Sequence, residues 1–321
     1  MRKYLLPEGG HFYKVNMHSH STLSDGRQSP EELKEAYKAK EYSAIAFTEH
    51  SKVHDLSHLS DDEFIAITSY EMDFSQRDRA AFSLYEGAPR SRHHTEAVHL
   101  NLYARDPHQN KEVDIQDIRD RITPETVNEG IRRAREAGYI VVYNHPSWSL
   151  NTYPLYSQIR GVCGIEIENG ASQRSSDHDY TPHVYDEMAR CGVRMSPVAG
   201  DDNHDMRHFF RAWTMIKTDS LTYDNLINAI EKGDCYASSG PEIHELYVEN
   251  GEVTVRCSDA AGIFYSTAGR AKAYVLDENE VKTPVTEASF KVDPTDIYFR
   301  ITIRDYRGNH ACSRIYYLDE L

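Results

Sequence analysis

The 321-residue sequence predicts an α/β protein, a distorted seven-stranded (β/α) barrel followed by a small all-β sandwich domain. Up to residue 241, apolar segments typical of strands alternate with segments typical of helices, and repeated βα units favour a parallel barrel or sheet. After Pro241 the helical pattern stops and only short alternating segments remain. The chain is therefore predicted to divide into residues 1–241 and 242–321.

Seven strands and four clear helices are predicted in the first region. The first helix has a capping box at Ser29 and Glu32 with Pro30 in its first turn. In (β/α) barrels functional residues gather at the C-terminal ends of the strands, so polar residues there are candidates for a site. The strands are 14–20, 44–49, 64–71, 97–103, 139–145, 163–168 and 193–200, and the helices are 30–40, 124–137, 182–191 and 222–232.

The second region has the short strands and turn residues of a small sandwich, for example Asn250-Gly251 between two strands. Its His244 and His310 are interpreted as surface residues. Packing, oligomerisation and shaping one wall of the site remain open as its role. The strands are 245–249, 252–257, 262–267, 271–276, 288–292, 297–304 and 312–318.

Composition favours a cytoplasmic enzyme. The formal net charge of −15 argues against a nucleic-acid partner, whose phosphates would be repelled. The five cysteines are widely spaced without a Cys-x-x-Cys pair, which is typical of reduced thiols in a cytosol. The N-terminal apolar run stops after Leu6, which argues against a signal peptide, and no segment predicts a membrane span.

Seven stretches of the first region carry residue types that bind metals. Imidazole and carboxylate without thiol are typical of sites that hold Zn²⁺, Mn²⁺ or Fe²⁺ as a Lewis acid. A lone histidine is more often a surface or core residue, but these stretches end six of the seven predicted strands, which favours one shared site. They are His18-Ser19-His20, Ser24-Asp25-Gly26, Glu49-His50, Glu71, His99, Asn144-His145-Pro146 and Gly200-Asp201-Asp202-Asn203-His204.

Two of these stretches repeat a spacing of two residues. Val15 and Met17 alternate with the polar residues of the first strand, so His18 and His20 leave on one face and their nitrogens converge. Asp202 and His204 repeat that arrangement after the apolar run from 193 to 199.

The order of these motifs resembles the PHP family, named for polymerase and histidinol phosphatase, over residues 12–240. The segment 233–241 and the β-rich tail resemble more narrowly the branch that includes carbaryl-hydrolase-like proteins. Glu49 departs from the family, which usually has Asp there. Because the neighbouring His50 matches the ligand, this departure concerns residues that support the ligands rather than metal binding itself.

The resemblance implies a metal-dependent hydrolase with two or three divalent ions, Zn, Mn or Fe. Glu71 would bridge the first two ions, and a metal-activated hydroxide would make a separate catalytic side chain unnecessary. The implied ligands are His18, His20, Glu71 and Asp202 for the first ion, Glu71, His99 and His145 for the second, and Asp25, His50 and His204 for the third. His99 is preferred over His93 and His94 because it lies in a strand-like run.

A phosphoesterase acting on a small phosphorylated metabolite or nucleotide is the favoured function, because several cations suit an anionic substrate. Arg27, Arg174 and His178 are candidates for binding its phosphate. A carbamate, ester or amide hydrolase and a non-catalytic metal-binding module remain alternatives. The expected partner is a small, anionic molecule, with neither nucleic acid nor membrane, and a homo-oligomer is left open.

Overall fold

The computed structural model describes residues 2–75, 96–178, 180–269, 272–277 and 283–321. Its α-helices are α1 Pro30–Lys38, α2 Pro124–Glu136, α3 Tyr153–Tyr156, α4 Gly170–Ser176, α5 Pro182–Arg190 and α6 Tyr223–Lys232. The strands of the first region are β1 Lys3–Tyr4, β2 His11–Asn16, β3 Ala44–Phe47, β4 Ile65–Ser75, β5 Ala97–Ala104, β6 Tyr139–Tyr143, β7 Gly164–Asn169, β8 Ser196–Gly200, β9 Trp213–Thr218 and β10 Cys235–Ser238. The strands after Pro241 are β11 Ile243–Glu249, β12 Glu252–Ala260, β13 Gly262–Thr267, β14 Lys272–Leu276, β15 Val285–Lys291, β16 Tyr298–Arg304, β17 His310–Ser313 and β18 Tyr316–Tyr317.

All seven strands predicted in the first region are present, and they lie side by side in chain order from β2 to β8 within one large sheet. The pairs β2–β3, β3–β4, β6–β7 and β7–β8 are parallel. Beyond β2 the sheet continues through β9 and β10 into strands of the second region. This is a mixed α/β architecture with few helices.

The expectation of a wholly parallel sheet is wrong at β5, which runs antiparallel to both β4 and β6. A buried strand has the same periodicity in either direction, so the sequence pattern predicted the strand but not its direction. As a result His99, which pairs with Asp73 of β4, lies in the first half of its strand and not at its end. Glu71 also lies inside its strand, because pairing with β5 extends β4 to Ser75.

The ends of β2 and β8 meet through the segments that follow them. The amide of His20 donates to the carbonyl of Asn203 at 3.1 Å, and the amide of Asp202 donates to the carbonyl of His18 at 2.9 Å. β2 ends at Asn16, earlier than predicted, and its side-chain oxygen accepts the amide of Asp201 at 2.8 Å. These bonds fix the two ligand-rich segments against each other.

The four predicted helices are α1, α2, α5 and α6, and each begins within one residue of its predicted start, whereas α3 and α4 were not predicted. In α1 the hydroxyl of Ser29 accepts the amide of Glu32, whose carboxylate accepts the amide of Ser29 at 2.8 Å, so the capping box is confirmed. Leu33 and Tyr37 on one face of α1 are buried. In α2, Val127 and Ile131 are likewise buried toward the sheet.

A second sheet, in the order β1-β11-β12-β15, faces the strands of the second region that join the large sheet. Val253 and Val255 of β12 share an apolar cluster with Ile263 of β13 and Ile301 of β16, as in a sandwich. The N-terminal strand β1 pairs with β11, although residues 1–241 were predicted to form one domain. The domain boundary itself stays a prediction.

A largely buried ion pair connects the two regions. The guanidinium of Arg300 on β16 donates to both carboxylate oxygens of Asp186 on α5, at 2.8 and 2.9 Å. A bidentate pair fixes orientation as well as distance.

Among the helices of the described ranges, none is long and apolar enough to cross a membrane. All five cysteines are free.

Candidate metal centre

The structure brings all nine predicted ligand residues together in adjoining groups. Within each group, potential ligand atoms lie within 4.8 Å of one another, which is close enough for one ion. The groups are His20, Asp25, His50 and His204; His18, His145 and Asp202; His18, His20 and Glu71; and Glu71, His99 and His145.

Glu71 lies at the centre of the cluster and is 1% exposed. Its Oε1 is 3.0 Å from Nδ1 of His99 and 3.2 Å from Nε2 of His145, and it accepts the side-chain amide of Asn144 at 3.0 Å. Its Oε2 is 3.0 Å from Nδ1 of His50. A carboxylate with different imidazoles on its two oxygens has the placement needed to be shared between two cations.

The imidazoles of His18 and His20 converge as their spacing predicted, with their Nε2 atoms 3.2 Å apart. Oδ1 of Asp202 lies 3.0 Å from Nε2 of His20 and 3.4 Å from Nε2 of His18. Both histidines are buried, and Glu71 shares a ligand group with them.

The group around Asp25 forms the more exposed part of the cluster. Oδ2 of Asp25 lies 3.4 Å from Nε2 of His204 and 3.6 Å from Nε2 of His50. Asp25 reaches them from the loop after β2, where the amide of Gly26 bonds the carbonyl of Ser21 at 2.9 Å. A Cβ on Gly26 would lie 2.2 Å from the carbonyl oxygen of His20, so only glycine fits this turn.

The observed grouping resembles the division of ligands implied by the family. Glu71, His99 and His145 form one group, and Asp25, His50 and His204 form another that also includes His20. The remaining implied set is split between two overlapping groups that share His18. The assignment of individual ligands to individual ions stays a prediction.

Two carboxylates that support the histidines, the buried Glu166 and the partly buried Asp73, were missed by sequence reasoning. Oε1 of Glu166 lies 3.0 Å from Nδ1 of His18, and Oδ1 of Asp73 lies 3.4 Å from Nε2 of His99. Asp73 follows Glu71 by two residues on the same strand face, the same signal that identified His18 and His20. Such carboxylates fix the tautomer and orientation of a metal-binding imidazole.

Glu49, where the family usually has Asp, supports the loop before Asp25 rather than the cluster itself. It is fully buried and accepts the amide of Ser21 at 3.0 Å, the hydroxyl of Ser21 at 2.5 Å and the hydroxyl of Ser24. The longer side chain therefore reaches two serines of that loop.

Burial and charge oppose each other in the cluster. Burial lowers the pKa of His50 and His99, but hydrogen bonds and charge from Asp25, Glu71 and Asp73 outweigh it and raise these pKa values to about 10 and about 9. Burial also disfavours the ionised form of Glu71, yet the neighbouring imidazoles hold its pKa well below its ordinary value. Without a cation the imidazoles of His50 and His99 are therefore protonated, and their charge partly balances the carboxylates that a cation would otherwise neutralise.

Comparison with protein families shows the family of this chain. The model of the PHP domain matches residues 16–290. The chain belongs to the PHP domain family. The match includes the nine clustered residues of this PHP protein and extends past Pro241 into the β-rich region.

No curated protein sequence matches this PHP chain. Among solved structures, a two-domain protein from Bacteroides vulgatus containing a predicted PHP-like metal-dependent phosphoesterase is 15% identical, with 98% of both chains covered and a TM-score of 0.47. An amidohydrolase from Chromobacterium violaceum is 16% identical over 60% of this chain and 88% of its own, with a TM-score of 0.38. The lesion-specific endonuclease PfuEndoQ from Pyrococcus furiosus is 14% identical over 69% of this chain and 56% of its own, with a TM-score of 0.38.

The three predicted substrate-binding residues of the PHP protein lie at different places. Arg27 is exposed beside the group around Asp25, and its amide donates to the carbonyl of His204 at 2.9 Å. Arg174 is exposed on α4, and His178 follows α4 and lines a cavity between the two regions. The structure thus brings only the backbone of Arg27 into contact with the cluster, and the phosphate-binding role of all three stays a prediction. His93 and His94 lie outside the described residues.

Proposed function

We propose that this protein is a metal-dependent phosphoesterase acting on a small phosphorylated metabolite or nucleotide. The observation that carries the proposal is the central carboxylate of Glu71, which adjoins imidazoles of more than one ligand group at 3.0–3.2 Å. Membership of the PHP family supports a metal-dependent hydrolase, and the substrate class is inferred from charge.

The residues present fit divalent cations. The donors are imidazoles and carboxylates without thiol, which suits Zn²⁺, Mn²⁺ or Fe²⁺. Nδ1 of His20 is buried without a hydrogen-bond partner among the described residues, and Oδ1 of Asp25 lies 3.8 Å from it, beyond hydrogen-bond distance. A spacing too long for a hydrogen bond is compatible with two atoms that share an ion.

Two or three bound cations would activate water and neutralise the charge that develops on phosphoryl oxygens. The residues of the chain hold and orient the ligands of these cations. Glu166 and Asp73 orient His18 and His99, and Glu49 supports the loop that presents Asp25. No separate nucleophilic side chain is required of the protein.

A phosphate ester is favoured over a neutral substrate because the ligand groups adjoin one another. Cations held this close present more positive charge than a neutral carbamate requires, and charge stabilisation is most useful where the substrate is anionic. The alternative carbamate, ester or amide hydrolase rests on the narrower resemblance of residues 233–241. In the structure Ser238 of that segment donates to the carbonyl of Pro241 at 2.7 Å, which is a role in a turn.

A non-catalytic metal-binding module is the third alternative. Loss of ligand residues would favour it, and all nine are present here.

We further propose that β2 to β8 form the distorted seven-stranded barrel, which the bonds between the segments after β2 and β8 support. The five free cysteines support a cytoplasmic location.

The test is a panel of phosphate monoesters, phosphodiesters, carbamates and aryl esters, assayed with Mn²⁺-, Zn²⁺- and Fe²⁺-loaded protein. We expect phosphate release that depends on metal and is inhibited by free phosphate. Efficient turnover of carbamates or aryl esters with no phosphate release at the same metal loading would contradict the proposal. A lack of turnover on the whole panel by fully loaded protein would favour the non-catalytic module.

A further inference from the structure

A cavity of about 380 Å³ lies between the two regions of the chain. Ser147, Glu168 and Thr181 line it from the first region, and Asn309 and His310 line it from the second. Cavities at domain interfaces are common places for small ligands, and this volume falls within their usual range.

The cavity adjoins the candidate metal centre through two short stretches of backbone. Ser147 follows the clustered His145 by two residues, and Glu168 follows Glu166, which contacts His18, by two residues. Two residues span at most about 8 Å between Cα atoms, so one small ester is long enough to reach from the cluster into the cavity.

The wall of the cavity carries one buried polar group that the described part of the protein leaves unsatisfied. Thr181 is 1% exposed, and its Oγ1 has no hydrogen-bond partner among the described residues. Glu168 is 3% exposed and accepts the side-chain amide of Gln173 at 3.2 Å. A buried hydroxyl without a partner is unfavourable, so Thr181 points to a ligand that supplies the missing hydrogen bond.

Charge limits the kind of ligand. Among the residues that the structure describes, the lining includes the carboxyl groups of Glu168 and Asp177 and three histidines, but neither lysine nor arginine. The stacked rings of Tyr180 and His310, 4.0 Å apart, form one rigid side. An anionic group would therefore lack a strongly cationic partner among these residues, whereas hydroxyl and amine groups find both donors and acceptors.

We propose that this cavity binds the alcohol part of the substrate, and that this part is a neutral or cationic polyol or aminopolyol. The inference rests on the proposed phosphoesterase function. Such a cavity would favour phosphate esters of sugars and amino sugars over esters whose alcohol part carries a further acidic group.

Binding is tested separately from hydrolysis. Free glucosamine and glucose are titrated into the full chain and followed by saturation-transfer NMR, while phosphate release from their 6-phosphates is compared with release from 3-phosphoglycerate. Wild-type protein should bind both sugars saturably and should cleave the sugar phosphates with the higher kcat/KM.

The variants are Thr181→Val and Glu168→Gln. Each should weaken sugar binding at least about fivefold, the loss expected for one hydrogen bond. Thr181→Val should keep or raise Tm, because the hydroxyl it removes has no partner in the protein. Thr254→Val, which removes a hydroxyl bonded to Ser289 on β15, and Glu35→Gln on the exposed face of α1 should bind as wild type does.

Absence of saturable sugar binding, or equal binding by wild type and both cavity variants, would overturn the assignment of the cavity. Sugar binding that depends on Thr181 and Glu168, together with no phosphate release from any ester, would instead overturn the phosphoesterase function. In that case the cavity would remain a polyol site.

Discussion

Oε1 of Glu166 lies 3.0 Å from Nδ1 of His18, and both side chains are buried. A carboxylate in this position accepts the Nδ1–H of His18, so that Nε2, which faces Glu71 and Asp202, would be the nitrogen that binds a cation. The same carboxylate accepts the amide of His145 at 3.2 Å. Glu166 therefore orients histidines of two overlapping ligand groups.

Replacing Glu166 by Gln should weaken metal binding by about 10–100-fold. The amide of Gln would donate to Nδ1 of His18 and thereby place the imidazole proton on Nε2, the nitrogen that faces the cluster. Metal affinity is measured by competition with a chelator, with Glu35→Gln on the surface as the control. Unchanged affinity in Glu166→Gln would show that His18 is not held through this carboxylate.

Glu71→Gln should reduce both metal content and turnover by more than the roughly 10–100-fold typical of a residue that only supports a ligand. The reason is that the substitution removes a negative charge that would screen the repulsion between neighbouring cations. Glu49→Gln is the matched control, because Glu49 is equally buried but bonds Ser21 and Ser24. Full metal loading and wild-type turnover in Glu71→Gln would contradict a bridging role.

The protein as isolated, or after metal titration, should carry two or three divalent ions per chain. Nine ligand residues in adjoining groups are too many for one tetrahedral site. Elemental analysis measures the stoichiometry. A value that stays at or below one ion per chain at saturating metal would contradict a multinuclear centre.

The pH dependence of the metal-free protein follows from the raised pKa values of two histidines. The pKa of His50 is raised to about 10 and that of His99 to about 9. A raised histidine pKa stabilises the fold fully below the unfolded value of about 6.5, and this stability is lost as pH rises through the folded pKa. Between about pH 7 and 10 the metal-free protein should therefore lose stability.

Metal binding should strengthen over the same pH range, because each ion displaces protons from the imidazoles. Thermal unfolding with and without chelator measures both effects, and the difference in Tm between the two forms should widen as pH rises. A metal-free Tm that is constant or rises between about pH 7 and 10 would show that His50 and His99 do not carry these protons.

The ligand types and their order were predictable from sequence because each motif is local, as with His18 and His20, whose spacing of two residues places both on one side. The support from Glu166 was not predictable, since it depends on how β7 lies relative to the end of β2. The direction of β5 was not predictable either, because the hydrophobic pattern of a buried strand is the same whether the strand runs parallel or antiparallel to its neighbours. Arg174 follows the sixth predicted strand in sequence, but the structure places it at an exposed position on α4, and sequence order alone could not show how that helix faces the cluster.

The two arginines predicted to bind phosphate should differ in their effect. The backbone of Arg27 is fixed against His204 by a hydrogen bond of 2.9 Å, and its side chain begins beside the exposed group of ligands. Arg27→Ala should therefore raise KM for a phosphate ester about 10-fold or more while changing kcat less, because a bidentate contact made equally in the ground and transition states contributes to binding alone.

Arg174→Ala serves as the comparison in the same steady-state assay, since it removes the same type of side chain from an exposed position on α4 rather than from the loop that carries Asp25. Its effect on KM should be smaller than that of Arg27→Ala. If Arg174→Ala raised KM strongly while Arg27→Ala left it unchanged, the phosphate would approach from the side of α4. The substrate would then cross the cluster in the opposite sense, with its alcohol part directed away from the cavity lined by Glu168 and Thr181.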